Sequence, residues 1–342
     1  MAATLSNTNG IGLALAVWLA HNEYDAGGSR FPGRDVISAT ALLKPTRQLI
    51  LANRVAPEER LVDVSEMIAS RLGHAIHDSI EHAWKTGYRE ALALLGYPKR
   101  MVDLMRINPQ DHELAADPDI IPVYLEQRFF REVDVDGNTV VVSGKFDQII
   151  NGELNDTKTT SVYTWIKGSK TDDYALQGSI YRWINPDKVT SDVMRIQHVF
   201  TDWQRAMAKP GSDYPASRVV EAKVRLLSPA EVELWIRNKI RELVANQSLP
   251  EAEILPCTEK DLWMSPPVYK YYSDARKAAE GGRATKNFPN YPAAASHCNQ
   301  QGKGVVVTVP SEPKACAYCA GFDLCTQKDQ FNFNPQKESE DA

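Results

Sequence analysis

Three absences narrow the classes of protein that this sequence can encode. No cysteine precedes Cys257, so most of the chain has no means of forming a disulfide framework. The longest apolar run, IGLALAVWLA at residues 11–20, is too short to span a bilayer and lacks the basic leader of a signal peptide. There is no Gly-x-x-x-x-Gly-Lys-Ser/Thr loop, so any ATP-driven motor must come from a partner. We therefore expect a cytoplasmic protein that does not bind membranes, with residues 11–20 in a buried helix.

Composition and charge are those of an ordinary globular protein. The 342 residues are 43% hydrophobic and 24% charged, and the formal net charge is -5. That balance excludes a histone-like protein but leaves room for an enzyme that meets phosphates in a local basic groove. Basic residues available to line such a groove are Lys44, Arg47, Lys167 and Lys170.

Hydrophobic periodicity predicts helices early and late in the chain. Residues 38–84 are predicted to be helical, with a cap at Ser38 or Thr40 and a second helix over Val64–Ala83. Later segments predict a helix at 174–184, strands at 192–203 and 218–227, and a helix at 228–244 that begins with a Ser228–Glu231 capping box.

Residues 122–158 change to the two-residue period of strands and predict a three-strand meander. Its turns are Asp136-Gly137 and Asn151-Gly152, the pairs favoured in two-residue hairpin loops. Counting outward from Asn151-Gly152, Asp147 faces Asp156 across the hairpin, and Lys158 lies on the same face as Asp156. Opposed carboxylates repel, and a divalent cation would compensate them. A solvated hairpin with a weak exposed ion pair is the alternative that this stretch alone leaves open.

Four short motifs follow one another along the chain. They are GHAIHDSIE with His77, GKFD with Asp147, DTK with Asp156 and Lys158, and QGSIY with Gln177 and Tyr181. In these motifs and their order, residues 38–325 resemble the PD-(D/E)XK nuclease superfamily. The similarity is to its RecB-like branch, which includes the iron-sulfur exonucleases of CRISPR adaptation and many phage exonucleases.

The resemblance implies an α/β fold with a restriction-endonuclease-like core, in which helices flank a mixed central sheet, followed by a cysteine-rich elaboration. The implied regions are a helical region at 1–120 that contributes His77, a nuclease core at 121–250, a cysteine-containing region at 251–330 and a disordered tail at 331–342.

The resemblance also implies an active site. Mg²⁺ or Mn²⁺ would be held by His77, Asp147, Asp156 and the carbonyl of Thr157. Lys158 would position the attacking water, while Gln177 and Tyr181 would hold that lysine and the substrate strand.

Other acids and histidines nearby are weaker candidates. Glu126 is a candidate for a second metal through water, but we expect it to face outward from an edge strand. His74 and His82 lie off the motif positions, and we expect them to be structural or exposed. A lone histidine among apolar neighbours on a helix is more often a packed residue than a ligand. The assignment of His77 as a metal ligand therefore depends on the other motifs.

Five cysteines lie at or beyond Cys257, and CAYCAGFDLC places Cys316, Cys319 and Cys325 close together. The spacing resembles the C-terminal cysteine triplet of the iron-sulfur nucleases, whose fourth ligand lies before the histidine motif, where this chain has no cysteine. We expect Cys257 to supply the fourth ligand, with Cys298 and His297 as alternatives. A [4Fe-4S] cluster and a structural zinc ion both accept four thiolates, and unligated reduced cysteines are the third alternative.

Together these features predict a metal-dependent DNA exonuclease of phage or prophage type, acting in recombination, replication or repair. A single-strand annealing protein or a helicase is the expected protein partner. The rival from another class is a non-catalytic DNA-binding or assembly subunit that keeps the nuclease fold.

Overall fold

The computed structural model describes residues 4–21, 26–56, 61–168 and 170–331. The helices are α1 Leu13–Ala20, α2 Ala39–Leu42, α3 Thr46–Arg54, α4 Ile68–Leu94, α5 Lys99–Leu104, α6 Asp111–Ala116, α7 Val162–Lys167, α8 Thr171–Ile184, α9 Pro229–Asn246, α10 Ala275–Ala279 and α11 Tyr291–Gln301. The strands are β1 Thr4–Ser6, β2 Asp35–Ser38, β3 Leu61–Asp63, β4 Met105–Ile107, β5 Ile121–Leu125, β6 Arg128–Val135, β7 Asn138–Lys145, β8 Gln148–Ile150, β9 Glu153–Thr160, β10 Val193–Phe200, β11 Val219–Arg225, β12 Val268–Tyr272, β13 Lys286–Phe288 and β14 Val305–Val309.

The chain divides into two compact units. The first unit is Met1–Leu43 with Pro57–Glu242, and the second unit is Lys44–Ala56 with Leu243–Ala342. The division thus falls after Glu242, and the segment Lys44–Ala56 belongs to the second unit. The expected tail lies outside the described residues except for Phe331, which ends a 3-10 turn.

The first unit is mixed α/β, as expected. Its six-stranded sheet has the order β11-β10-β9-β8-β5-β4, with parallel and antiparallel pairs, and a second sheet has the order β2-β7-β6. β1 and β3 form a separate parallel pair. The second unit contains a three-stranded antiparallel sheet of order β13-β12-β14.

The predicted hairpin register is confirmed, but the predicted meander is wrong. Ile150 pairs with Glu153 and Gln148 with Asn155, and both turn residues, Asn151 and Gly152, have positive φ angles. However, β7 ends at Lys145 and pairs with β6 and β2, so it belongs to the other sheet. The second predicted strand is therefore split into β7 and β8.

The cause of the split is a bend at Phe146 and Asp147. The Phe146 side chain is completely buried and its ring stacks on Phe129, with 5.7 Å between ring centroids. On the facing strand, Glu126 takes a positive φ of 48°, which leaves the strand conformation, and its N–H donates to the carbonyl of Asp147 at 2.8 Å. Both strands of the hairpin thus pass from one sheet to the other at the same level.

The first helices differ in part from the prediction. Ser38 caps α2 by accepting from the N–H of Ala41, as expected, and α4 is longer than predicted. The prediction that residues 11–20 are buried is wrong, because Leu13 is 80% and Val17 62% exposed and only Leu19 of α1 is buried. The described helices include none with the length and apolarity needed to cross a membrane.

Helix α8 packs on strand β7 through a glycine. A Cβ added to Gly144 would lie 2.8 Å from a ring carbon of Tyr181 and 3.0 Å from the Cδ1 atom of Ile184. Real Cβ atoms do not approach other atoms so closely, and the ring is buried on all sides. The glycine of the GKFD motif therefore lets the aromatic ring of the QGSIY motif reach the sheet.

We expect Gly144→Ala to lower the free energy of unfolding by about 1–3 kcal/mol, the cost of overpacking a filled core. Gly87→Ala is the matched control, since nothing lies within 4 Å of a Cβ at that position of α4. The control should be neutral or stabilising by up to about 1 kcal/mol, because alanine favours helix. Urea denaturation measures both, and a Gly144→Ala variant as stable as the control would contradict this packing.

Candidate functional site

Three candidate ligands meet beside the bend in the first unit. His77 is on α4, Asp147 is at the bend and Glu126 is opposite it, and one ligand atom from each lies within 4.8 Å of the other two. The Nδ1 atom of His77 is 3.3 Å from Asp147 Oδ2 and 3.4 Å from Glu126 Oε1. A cavity of ≈ 10 Å³, enough for about one water molecule, lies among these side chains.

Glu126 corrects an expectation, since it faces this cavity and not the outside. Its side chain is 12% exposed and its Oε2 atom is 2.6 Å from the ammonium of Lys145. The position of Glu126 could have been predicted from the turn at Asp136-Gly137. Leu125 pairs with Gln148 and Arg128 with Lys145, so counting outward from that turn places Glu126 opposite Asp147.

Asp156 lies outside this trio and is paired with Lys158. The lysine Nζ atom is 2.9 Å from Oδ1 and 2.8 Å from Oδ2 of Asp156, whose side chain is almost fully buried. Oδ2 is buried but has no hydrogen bond of good geometry. A buried carboxylate oxygen of this kind has a lone pair available for another ligand.

The hairpin joins the two acids through the backbone. Asp147 stands before the first residue of β8, so it is not a ladder partner of Asp156 in the strict sense. Instead, its Oδ2 atom accepts a hydrogen bond of 2.9 Å from the N–H of Thr157, next to Asp156. The two aspartates are therefore neighbours, as expected, but through this hydrogen bond to the backbone and not through direct strand pairing.

The charges of the site shift one another's pKa values. Hydrogen bonds with Asp147 and Glu126 raise the pKa of His77 to about 10. Burial favours the neutral acid of Asp147, but the hydrogen bond and charge of His77 and the charge of Lys158 outweigh burial and lower its pKa. An imidazolium therefore lies between two carboxylates, where it provides the positive charge that an ion would supply.

Burial has the opposite outcome at Asp156. Loss of hydration raises its pKa to about 6, and the charge of Asp147 adds to this while that of Lys158 opposes it. Burial would lower the pKa of Lys158, but the carboxylates of Asp156 and Asp147 raise it above its usual range. Lys158 is accordingly an ammonium at neutral pH and acts as a hydrogen-bond donor there, not as a base.

Gln177 and Tyr181 share one face of α8, and the hydrogen-bond partner they have in common is Thr40 instead of the expected Lys158. The Nε2 atom of Gln177 donates to Thr40 Oγ1 at 3.1 Å, and the hydroxyl of Tyr181 also faces Thr40. Burial raises the pKa of Tyr181, so its hydroxyl stays protonated. Sequence reasoning missed Thr40 as the residue on which these two side chains converge.

The remaining histidines have structural surroundings. His198, level with Lys158 on the next strand, is buried against Trp165, with 4.7 Å between ring centroids. Burial, together with the charge of Lys158, lowers its pKa and keeps it neutral. His74 lies 3.4 Å from Arg71 and His82 is exposed, in line with the expectation for both.

Four of the five cysteines line one cavity in the second unit. This cavity of ≈ 30 Å³ is bordered by Cys257, Cys316, Cys319 and Cys325. The side chain of Gln327 accepts a hydrogen bond from the N–H of Cys257 and donates one to the carbonyl of Cys257. These two bonds connect Cys257 to the 3-10 turn that begins at Gln327. Cys298 lies elsewhere, with its thiol 3.7 and 3.6 Å from the carbonyl oxygens of Lys303 and Gly304.

Arg47 also borders the cysteine cavity, which corrects its place among the residues of a basic groove. It is 4% exposed, and its Nε atom donates to the sulfur of Cys325 at 3.3 Å. Its guanidinium is paired with Glu251 and donates to the carbonyls of Glu251 and Ile254. The segment that lacks the expected cysteine thus contributes a hydrogen-bond donor to a sulfur.

Burial raises the pKa values of the Cys257, Cys316 and Cys319 thiols, so these three are protonated at neutral pH. It raises the pKa of Cys257 to about 12 and that of Cys316 to about 11. Binding of a metal would have to displace these protons, as is usual for thiolate sites.

Comparisons with known proteins give only distant likenesses. No protein-family model and no curated protein matches the chain. Among solved structures, SSO0001 is 15% identical, with a TM-score of 0.40, 67% of this chain and 86% of that chain covered. A phage related exonuclease from Haemophilus somnus 129PT is 12% identical with a TM-score of 0.21, and the match covers 38% of this chain and 61% of that one. Rai1 from Scheffersomyces stipitis is 11% identical, at a TM-score of 0.21, over 72% and 68% of the two chains. Likenesses this weak do not identify the function, which depends on the chemistry of the site.

We expect binding of Mn²⁺ to release about one proton near neutral pH, because the pKa of about 10 keeps His77 protonated and ligation needs the neutral ring. Affinity should therefore fall by up to about tenfold for each pH unit below that value, with a further loss below the pKa of about 6 of Asp156. Titration calorimetry in buffers of different ionisation enthalpy measures the protons released. His77→Gln is the control and should release none; equal release by both proteins would contradict ligation by His77.

Proposed function

We propose that this protein is a metal-dependent deoxyribonuclease of the PD-(D/E)XK type, RecB-like branch, and most specifically an exonuclease that hydrolyses linear DNA. The observation that carries the proposal is Asp156, a buried carboxylate that is paired with Lys158 and whose Oδ2 atom accepts no hydrogen bond of good geometry. A solvated hairpin face does not bury an acid in this way, because burial of an incompletely paired charge is costly. The trio of His77, Glu126 and Asp147 beside it supplies further ligands.

The donor set fits Mg²⁺ or Mn²⁺. Asp147, Asp156 and the carbonyl of Thr157 offer the oxygen atoms that these ions prefer, and His77 adds a nitrogen that suits Mn²⁺ better than Mg²⁺. Glu126 joins them directly or through water. The ion, when bound, would act as a Lewis acid and activate water for attack on phosphorus.

The chain's own residues position the substrate. Lys158 is charged at neutral pH, so it donates to a phosphate oxygen or holds the attacking water in line. Gln177 and Tyr181 fix the hydroxyl of Thr40, an exposed residue of α2. DNA is the proposed substrate, and a single-strand annealing protein or a helicase is the proposed partner.

Replacement of Lys158 by alanine should abolish Mg²⁺-dependent degradation of end-labelled linear DNA while leaving DNA binding largely intact. Lys99→Ala is the control, because Lys99 is an exposed lysine that pairs with Asp103 on the same helix and has no part in the site. The control should degrade DNA as the wild type does. Undiminished cutting by the Lys158→Ala variant would refute the mechanism.

An assay of the wild-type protein distinguishes the exonuclease from the rival function, a non-catalytic DNA-binding or assembly subunit. The protein is incubated with linear or circular DNA in Mg²⁺ or in EDTA. Loss of linear DNA, only with Mg²⁺, supports the exonuclease; a gel shift without degradation under all conditions supports the rival.

For the second unit we propose a [4Fe-4S] cluster on Cys257, Cys316, Cys319 and Cys325, with structural zinc as the alternative. Four thiols around one cavity fit either group, and the hydrogen bond from Arg47 would stabilise a thiolate at Cys325. The role of the bound group would be to stabilise a segment with little apolar surface of its own.

Anaerobically purified Cys257→Ser should lose most of the bound metal and its absorbance band at about 400 nm. Cys298→Ser is the matched control and should keep both, because Cys298 does not line the cavity. Metal analysis and the visible spectrum give the result. Full metal content in Cys257→Ser, or loss in Cys298→Ser, would contradict the assignment of the fourth ligand.

A further inference from the structure

Unsatisfied buried polar atoms lie on the sheet that carries the candidate active site. Among the described residues, the buried side-chain nitrogen and oxygen atoms without a hydrogen-bond partner are Gln148 Nε2, Asp156 Oδ2 and His198 Nδ1. These residues lie on β8, β9 and β10, three neighbouring strands of one sheet. Proteins rarely leave buried polar atoms without a hydrogen bond, so each of these three needs an explanation.

Gln148 differs from the other two in its chemistry. A carboxylate oxygen such as Asp156 Oδ2 accepts from donors or binds cations, whereas an amide NH₂ group only donates. The unpaired atom of Gln148 therefore does not match a metal ion. It matches an oxygen that carries negative charge.

The position of Gln148 follows from the bend that splits the second predicted strand. Consecutive strand residues point to opposite faces, but Asp147 precedes β8 and Gln148 begins it, so both side chains line the same cavity. The backbone of Gln148 is fixed between Leu125 and Asn155, its partners on β5 and β9. The side chain is thus held at the cavity by two neighbouring strands.

The cavity already contains acceptors that Gln148 does not use. Glu126 and Asp147 bring carboxylate oxygens to its wall, yet their hydrogen bonds and ion pairs are made with His77, Lys145 and the N–H of Thr157. The donor of Gln148 remains available for an acceptor brought by a ligand. The acceptor that a phosphodiester brings beside a metal is a non-bridging oxygen.

We propose that Gln148 is a substrate-positioning residue whose amide N–H donates to a non-bridging oxygen of the phosphodiester that is cut. This inference rests on the proposed nuclease function and adds a phosphate contact that the four motifs do not contain. It also predicts an unusual pair of effects. Removal of an unpaired buried amide should not harm the metal-free protein, but it should weaken the contact with DNA.

The test uses Gln148→Leu, which keeps most of the side-chain volume and removes the donor. The metal-free variant should have an unfolding midpoint in urea equal to or above that of the wild type. Its affinity for Mn²⁺ should be unchanged, while kcat/KM on linear DNA should fall about tenfold or more, the loss expected for a hydrogen bond to a charged group. Gln197→Leu on β10 is the matched control, since the Gln197 amide donates to Glu221 at 3.2 Å, and it should cut DNA normally.

A binding measurement keeps this inference separate from the proposed function. In the Lys158→Ala background, adding Gln148→Leu should weaken binding of a short single-stranded oligonucleotide about tenfold. If the wild type does not cut DNA but this loss of binding is seen, the nuclease function fails and the phosphate contact stands. Unchanged oligonucleotide binding and unchanged kcat/KM would overturn the inference, as would a parallel loss of Mn²⁺ affinity, which would make Gln148 a metal ligand through its carbonyl oxygen.

Discussion

The first unit depends on two aspartates at one end of a sheet, the buried Asp156 and the half-buried Asp147. Asp147 and Asp156 repel each other, and the fold compensates them with an imidazolium at His77 and an ammonium at Lys158. Charges this deep are costly unless they are paired, and a buried pair rarely adds net stability. Such an arrangement is typical of a site that a ligand completes, because a cation can replace the proton of His77 and bind the Oδ2 atom of Asp156, which accepts no hydrogen bond of good geometry.

A single bend gives this site its composition. Where the long hairpin passes from one sheet to the other, Glu126 leaves the strand conformation and Phe146 fills the core. The bend interrupts the alternation of side chains, so that both Asp147 and Gln148 reach one cavity. In the second unit, the side chain of Gln327 forms two hydrogen bonds with the backbone of Cys257. Four thiols line one cavity beside it.

Much of this arrangement could be predicted from the sequence, because it depends on local rules. The Asn151-Gly152 turn fixes the hairpin register, and the spacing of Gln177 and Tyr181 fixes their common helix face. The bend could not be predicted, since a long alternating stretch predicts a continuous strand and the stacking of Phe146 on Phe129 is a tertiary contact. For the same reason the outward placement of Glu126 and the burial of residues 11–20 were wrong. The cysteine triplet of the cavity could be predicted from its spacing, whereas the burial of Arg47 against Cys325 could not.

The claim that a divalent cation completes the buried acids is tested most directly by anomalous scattering. Crystals grown with Mn²⁺ are measured near the manganese absorption edge, and an anomalous difference map is calculated. We predict a peak within coordination distance, about 2.0–2.6 Å, of carboxylate oxygens of both Asp147 and Asp156. A map with no peak at these residues, or with manganese only on exposed acids elsewhere, would contradict the account.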